Sequence, residues 1–97
     1  MKSSNIVWLS EWYSRQANGD WEHSFGIKIE TLDNPGWRIV IDLSETPLAT
    51  RPFTSIKEEN SPRDWTTCRI QDGKFEGFCG PGNLDKVLGV FRAWPES

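Results

Sequence analysis

The chain has little of what reactive chemistry needs. In 97 residues there are two cysteines, one histidine and one methionine. A metal centre takes three or four clustered donors, and His23, Cys68 and Cys79 stand at no familiar ligand spacing. No metal and no cofactor are therefore expected. No apolar run approaches the ~18–20 residues of a membrane-spanning helix. Met1-Lys2-Ser3-Ser4-Asn5-Ile6 leads directly into a tryptophan-rich segment without the apolar core or small-residue cleavage site of a secretion leader. No basic stripe is visible and the net charge is −3, which argues against nucleic acid as a partner. No repeat or low-complexity segment appears. These absences leave one ordinary globular domain over residues 1–97, expected in a cytoplasmic compartment with reduced thiols and without membrane attachment.

What the chain does have is tryptophan, six of them. One indole can bury ~150–250 Å², worth up to about 4–6 kcal/mol at ~25 cal/mol per Å². A domain of this size has limited interior, so some rings are expected in the core and one or two at the surface as anchors for a partner. Trp21, within Asp20-Trp21-Glu22-His23, and Trp37, closing Asn34-Pro35-Gly36-Trp37, sit in the most polar settings. They are the candidates for anchors.

The apolar spacing sets the elements. Trp8, Leu9, Trp12, Tyr13 and Gln16 share one face of a helix capped by Ser4 or Asn5 and stopped by Asn18-Gly19. Period-two alternation follows, with Trp21, His23, Phe25, Ile27 and Ile29 on one side of a strand and Glu22, Ser24, Lys28 and Glu30 on the other. Asp33-Asn34-Pro35-Gly36 reads as a turn with a positive-φ glycine. Trp37, Ile39, Ile41 and Leu43 then alternate with Arg38, Val40 and Asp42. Between Ser44 and Asp64, Pro47, Pro52 and Pro62 interrupt a polar stretch that reads as mobile loop, with a short edge strand over residues 53–57. Trp65 to Gln71 and Lys74 to Cys79 flank Asp72-Gly73, a strong hairpin signal. After Gly80-Pro81-Gly82, Asn83 caps a helix whose stripe is Leu84, Val87, Leu88, Phe91 and Trp94.

Neither helix lies between strands as a crossover, so the sheet is expected to be antiparallel. The fold class is α+β: a single antiparallel sheet of four to five strands, with the N-terminal and C-terminal helices packed on one face. The other face would be wet, with Glu22, Ser24, Lys28, Glu30, Arg38 and Asp42.

Catalytic constellations are weak throughout. Glu22 and His23, adjacent in a strand, would point to opposite faces and could not pair. Cys79, ahead of Gly80-Pro81-Gly82-Asn83 and a helix start, has the layout of a thiolate loop in a sulfurtransferase. However, Leu84, Asp85 and Lys86 follow where an anion-binding arginine is needed, and Asp85 would repel an anion. A thiol-dependent enzyme using Cys79 is the alternative from another class. Gly80-Pro81-Gly82 lacks the lysine and hydroxyl residue of a phosphate loop. Cys68 and Cys79 fall on neighbouring strands, and the unbridged state is expected.

Three stretches carry a family resemblance: Trp8-Leu9-Ser10-Glu11-Trp12-Tyr13, Gly19-Asp20-Trp21-Glu22-His23, and residues 26–37 ending in Pro35-Gly36-Trp37. Together with Lys74-Phe75-Glu76-Gly77 and Gly80-Pro81-Gly82-Asn83-Leu84, they resemble immunity protein family 53 of bacterial polymorphic toxin systems. The resemblance implies a non-catalytic cytoplasmic protein that binds the C-terminal domain of a cognate toxin stoichiometrically, as a monomer or weak homodimer. On the residue reading, the contact is expected on the wet sheet face and the 44–64 loop, using Asp20, Trp21, Glu22, Lys28, Glu30, Asn34, Trp37, Arg38 and Asp42.

Overall fold

The computed structural model describes residues 3–96; Met1, Lys2 and Ser97, on which the leader reading and the ends of the 1–97 domain partly rest, lie outside the described residues. Helix α1 spans Asn5–Gln16, with the Ser4 hydroxyl accepting from the Val7 N–H at 3.3 Å as the N-cap. A single helical turn, α2, covers Trp21–Ser24. Strands β1 (Ile27–Leu32), β2 (Gly36–Asp42), β3 (Ile56–Ser61), β4 (Asp64–Gln71) and β5 (Lys74–Cys79) follow, then helix α3 (Leu84–Ala93) and a final 3₁₀ turn over Trp94–Glu96. The fold is α+β, as expected: one five-stranded antiparallel sheet in the order β1-β2-β5-β4-β3, with helices at both ends of the chain.

Register explains which side the helices cover. Trp37, Ile39 and Ile41 of β2, Phe75, Gly77 and Cys79 of β5, and Thr66, Cys68 and Ile70 of β4 point to the helix side, because side chains alternate along each strand. Ile39, Ile41, Phe75, Cys68 and Cys79 are fully buried there. A Cβ on Gly77 would lie 2.5 Å from Val87 Cγ1 and 2.9 Å from Ile39 Cγ2, so glycine is what lets α3 settle against β5.

Aromatic rings fill the space between helices and sheet. Phe91 of α3 is the hub, with ring centroids at 5.9 Å from Trp8, 5.1 Å from Trp12, 5.1 Å from Phe75 and 6.2 Å from Trp94. Trp12 passes the contact on to Trp21 at 5.9 Å, and Phe53 bridges Phe75 and Trp94. Nearly all of these pairs are edge-to-face, the geometry that ring quadrupoles favour by about 0.5–1.5 kcal/mol per pair beyond area burial.

Several sequence expectations are corrected here. The stretch from Trp21 to Phe25 is not strand: Asn18 Oδ1 accepts from the Asp20 and Trp21 N–H groups at 3.0 Å, and one helical turn forms instead. The edge strand lies at Ile56–Ser61 rather than 53–57. Asn83 precedes α3 but makes no side-chain cap; its Nδ2 donates to Asp64 at 3.0 Å. Gly36 does not take a positive φ, and the Asn34–Pro35 peptide is cis. Glycine is needed there because a Cβ would collide with the Cys79 carbonyl oxygen and press on the Trp65 ring. The first half of the central loop is tied down: the Trp21 indole donates to Ser44 O at 2.9 Å and the Trp94 indole to Pro52 O at 2.8 Å. Leu48 is buried and Phe53 packs against the core. The Asp72-Gly73 hairpin has both residues at positive φ, as a type I′ turn demands.

Removing the hub is the direct check. Phe91→Ala should lower the unfolding free energy by about 3–5 kcal/mol, measured by urea denaturation followed by tryptophan fluorescence. That is a large part of the ~5–15 kcal/mol typical of a whole domain.

Candidate functional site

The helices leave the second face of the sheet open. Across its centre run Lys28 and Glu30 of β1, Arg38, Val40 and Asp42 of β2, Lys74, Glu76 and Phe78 of β5, and Thr67 and Arg69 of β4. Phe78 sits in the middle, half-buried, with the Arg38 guanidinium 5.9 Å from its centroid and that of Arg69 at 5.5 Å. The arginines are themselves held. Arg38 meets Glu30 at 2.6 Å and Glu76 at 3.8 Å, while Arg69 meets Glu76 at 2.9 Å. Lys74 lies 3.9 Å from Asp42. The result is a ring clasped by two fixed cations, with two carboxylates locking the cations in place. At the end of this face nearest α2, an open cleft of about 290 Å³ is lined by Phe25, Lys28, Arg38, Val40, Asp42 and Lys74, among others. Trp65 also faces this side, its ring over Gly36.

The nine expected contact residues divide into groups. Lys28, Glu30, Arg38 and Asp42 come together on the open face. The others do not join them. Trp21 is 3% exposed, its ring against Trp12 and Tyr13 and its N–H on Ser44, so the expected surface indole is a core side chain. Glu22 is off the sheet: its carboxylate accepts the Asn18 and Gly19 N–H groups at 2.9 and 2.7 Å and holds the α1–α2 turn. Asp20 is exposed at the start of that turn, and His23 is exposed on α2. Asn34 is exposed in the β1–β2 turn. Trp37 lies on the helix side, half-buried, donating to Pro81 O at 2.9 Å.

Sequence reading missed Phe78, Arg69, Glu76 and Lys74. Their signal was present: Lys74, Glu76 and Phe78 alternate with Phe75, Gly77 and Cys79 along β5, and the buried set names the outward one.

The thiols lack the setting of a nucleophile. Cys68 and Cys79 are both free and both buried. Burial, with Cys79 nearby as a second contribution, pushes the Cys68 thiol up to about 12. Burial also raises Cys79, against the opposing hydrogen bond from Trp37. A catalytic thiolate needs the reverse, access and a cationic neighbour. Among the described residues, no three histidine, cysteine, aspartate or glutamate side chains gather as a metal site, and no helix is long and apolar enough to cross a membrane.

With this geometry in place, comparison with known proteins decides the family. The profile of the Immunity protein 53 family matches residues 6–96. The chain belongs to the Immunity protein 53 family. Membership carries an immunity function and implies a toxin as partner. No curated protein and no solved structure matches the chain significantly. The family match extends through the aromatic core as well as the open face, so the Trp-Glu and Pro-Gly-Trp motifs coincide with structural duties: turn-holding by Glu22, core-filling by Trp21, and the close approach at Gly36.

Two outcomes check these assignments. Ellman's reagent should leave both thiols of the native protein unmodified over the time in which unfolded protein reacts completely, with modification tracking unfolding. The Glu22 carboxyl is held below its ordinary range, first by its own backbone N–H and then by those of Asn18 and Gly19. A depressed folded value means the stabilisation is present above the ordinary value of 4.5 and is lost as pH falls through the lower folded value. The melting-temperature gap between wild type and Glu22→Gln should therefore be constant near neutrality and close on acidification below that range.

Proposed function

We propose that this protein neutralises a cognate bacterial toxin by stoichiometric binding in the cytoplasm, and that the open sheet face is the contact. The toxin is the C-terminal domain of a polymorphic toxin encoded beside it. Family membership supplies the class of function. The observation that supports the surface is the Arg38–Phe78–Arg69 clasp. Arginine and large aromatics dominate the binding energy of protein interfaces, and they do so best when fixed beforehand, because little side-chain freedom is then lost on docking. Glu30 and Glu76 fix both arginines here. The nearby cleft, reaching Lys28, Asp42 and Lys74, offers a polar rim to the same contact.

The face is close to electrically balanced, with Lys28, Arg38, Lys57, Arg69 and Lys74 against Glu30, Asp42, Glu59 and Glu76. The chain's net charge of −3 thus resides elsewhere. Docking on this face draws on ring contact and oriented charge pairs more than on bulk acidic attraction.

The test is calorimetric titration of the neighbouring toxin domain into purified variants. Phe78→Ala and Arg69→Glu should each weaken binding at least about tenfold, while Glu11→Lys on exposed α1 should leave it within about twofold. Wild-type affinity in both open-face variants, with loss in Glu11→Lys, would move the contact to the helix side.

A further inference from the structure

The two edges of the sheet are built differently. At one edge, β3 reads Ile-Lys-Glu-Glu-Asn-Ser, and its pairing with β4 is broken by an irregularity between Glu59 and Ser61. Charge and a bulge are common means of keeping an edge from pairing with another chain. The β1 edge has no bulge, and its two charges, Lys28 and Glu30, are of opposite sign. Ile27-Lys28-Ile29-Glu30-Thr31-Leu32 is regular along its whole length, rich in β-branched residues and without proline. Among the described residues no strand pairs with its outer side.

The phase of hydrogen bonding shows what that edge presents. The Asp42 N–H donates to Gly26 O at 3.1 Å, and the register continues Ile27↔Ile41, Lys28↔Val40. In an antiparallel ladder bonded pairs alternate with unbonded ones. Residues 28, 30 and 32 therefore bond to β2, and the N–H and C=O groups of Ile27, Ile29 and Thr31 point away from the sheet. Ile29, on the helix side of β1, is 38% exposed, and beside β1 runs a cleft of about 280 Å³ lined by Leu9, Ser10, Tyr13, Ser14 and Ile27.

We propose that the occupant of this edge is the β1 strand of a second copy, antiparallel about a two-fold axis through Ile29. That register satisfies every free group, because Ile29 faces its own equivalent and Ile27 faces Thr31 of the second copy, all as bonded pairs. On the open face, Lys28 of each copy stands opposite Glu30 of the other, twice over. Non-bonded pairs bring side chains closest, so these are opposite charges directly across the new junction. The strand is thus self-complementary in hydrogen bonding, in charge and in the apolar Ile29 contact, which is what an isologous interface requires. The axis is normal to the sheet, so the two sheets join as one of ten strands and both open faces look the same way. Six residues per side make a small interface, and the association is correspondingly weak.

Sedimentation velocity with designed charge reversals tests the proposal. Wild type at on the order of 0.1–0.5 mM should sediment as twice the chain's 11.1 kDa. Lys28→Glu places two glutamate pairs across the junction, and Glu30→Lys two lysine pairs. Each alone should weaken association at least about tenfold, with unchanged circular dichroism. Mixed together, the two variants make every cross-junction pair attractive again, so they should form a one-to-one heterodimer. Ile29→Pro removes an outward N–H and the Ile29 side chain without taking a bond from the β1–β2 ladder and should also be monomeric, while Phe78→Ala should dimerise as wild type does. A wild type that stays monomeric over this range overturns the proposal, including the case where a toxin strand takes the edge. Variants that dimerise undiminished, or fail to associate when mixed, overturn it too.

Discussion

The packing of Phe91 among Trp8, Trp12, Phe75 and Trp94 is the constraint on which the rest of the structure depends. Both terminal helices contribute to it, so the chain's two ends are joined through ring contacts on one side of the sheet. Secondary links reinforce the junction: Arg92 donates to Ser3 O at 2.7 Å and Lys86 meets Glu58 at 2.6 Å, tying α3 to the start of the chain and to β3. Tryptophan suits this role because each ring buries a large area at the cost of ordering few torsions, and its N–H can reach outward. Three indoles do reach outward, holding Ser44, Pro52 and Pro81. The tryptophan content is therefore explained first by stability. Trp65 is the ring that the sheet register places on the open side.

That outcome changes how the surface should be understood. An interface built on spare indoles would have been an apolar patch. The open face instead presents a half-buried phenylalanine with two guanidinium groups 5.9 and 5.5 Å from its ring centroid, each paired with a carboxylate. Such a face resists non-specific sticking, since its apolar centre is small and most of its charges are paired. It still offers a partner oriented donors and acceptors held in fixed positions. If the proposed contact holds, specificity follows from geometry, because a partner must set opposite charges against Glu30, Glu76, Arg38 and Arg69.

Much of the architecture was legible from residue pattern. The two terminal helices, the β1–β2 and β4–β5 hairpins and the antiparallel sheet all follow from apolar periodicity and turn residues. Where the pattern failed, a local competitor decided. From Trp21 to Phe25 the alternation suited a strand, but Asn18 Oδ1 and the Glu22 carboxylate captured the neighbouring N–H groups, and Trp12 and Tyr13 drew the Trp21 ring inward. Strand β3 carried no apolar alternation because it lies at an edge with most of its side chains in solvent. Its position is set by pairing with β4, a long-range fact that no short window contains. The candidate site was half legible: the alternation of β1 and β2 sets Lys28, Glu30, Arg38 and Asp42 on the open face, while Phe78, an aromatic ring on the outward phase of β5, reads as core by composition alone.

Glu30 is where the two surfaces meet. It fixes Arg38 at 2.6 Å for the Phe78 clasp, and it stands on β1 beside the open edge. In the paired arrangement the same carboxylate lies between Arg38 of its own chain and Lys28 of the other. A carboxylate has two oxygens and can serve both cations at once. Pairing at the edge would then draw Glu30 into a larger network instead of taking it from Arg38. In that arrangement the two open faces would lie side by side on one extended sheet, and a partner long enough to cross the junction would gain the second face at high effective concentration. Under the two proposals, edge pairing and partner capture would meet at one side chain, a link that a monomeric sheet with a blunted β1 edge would lack.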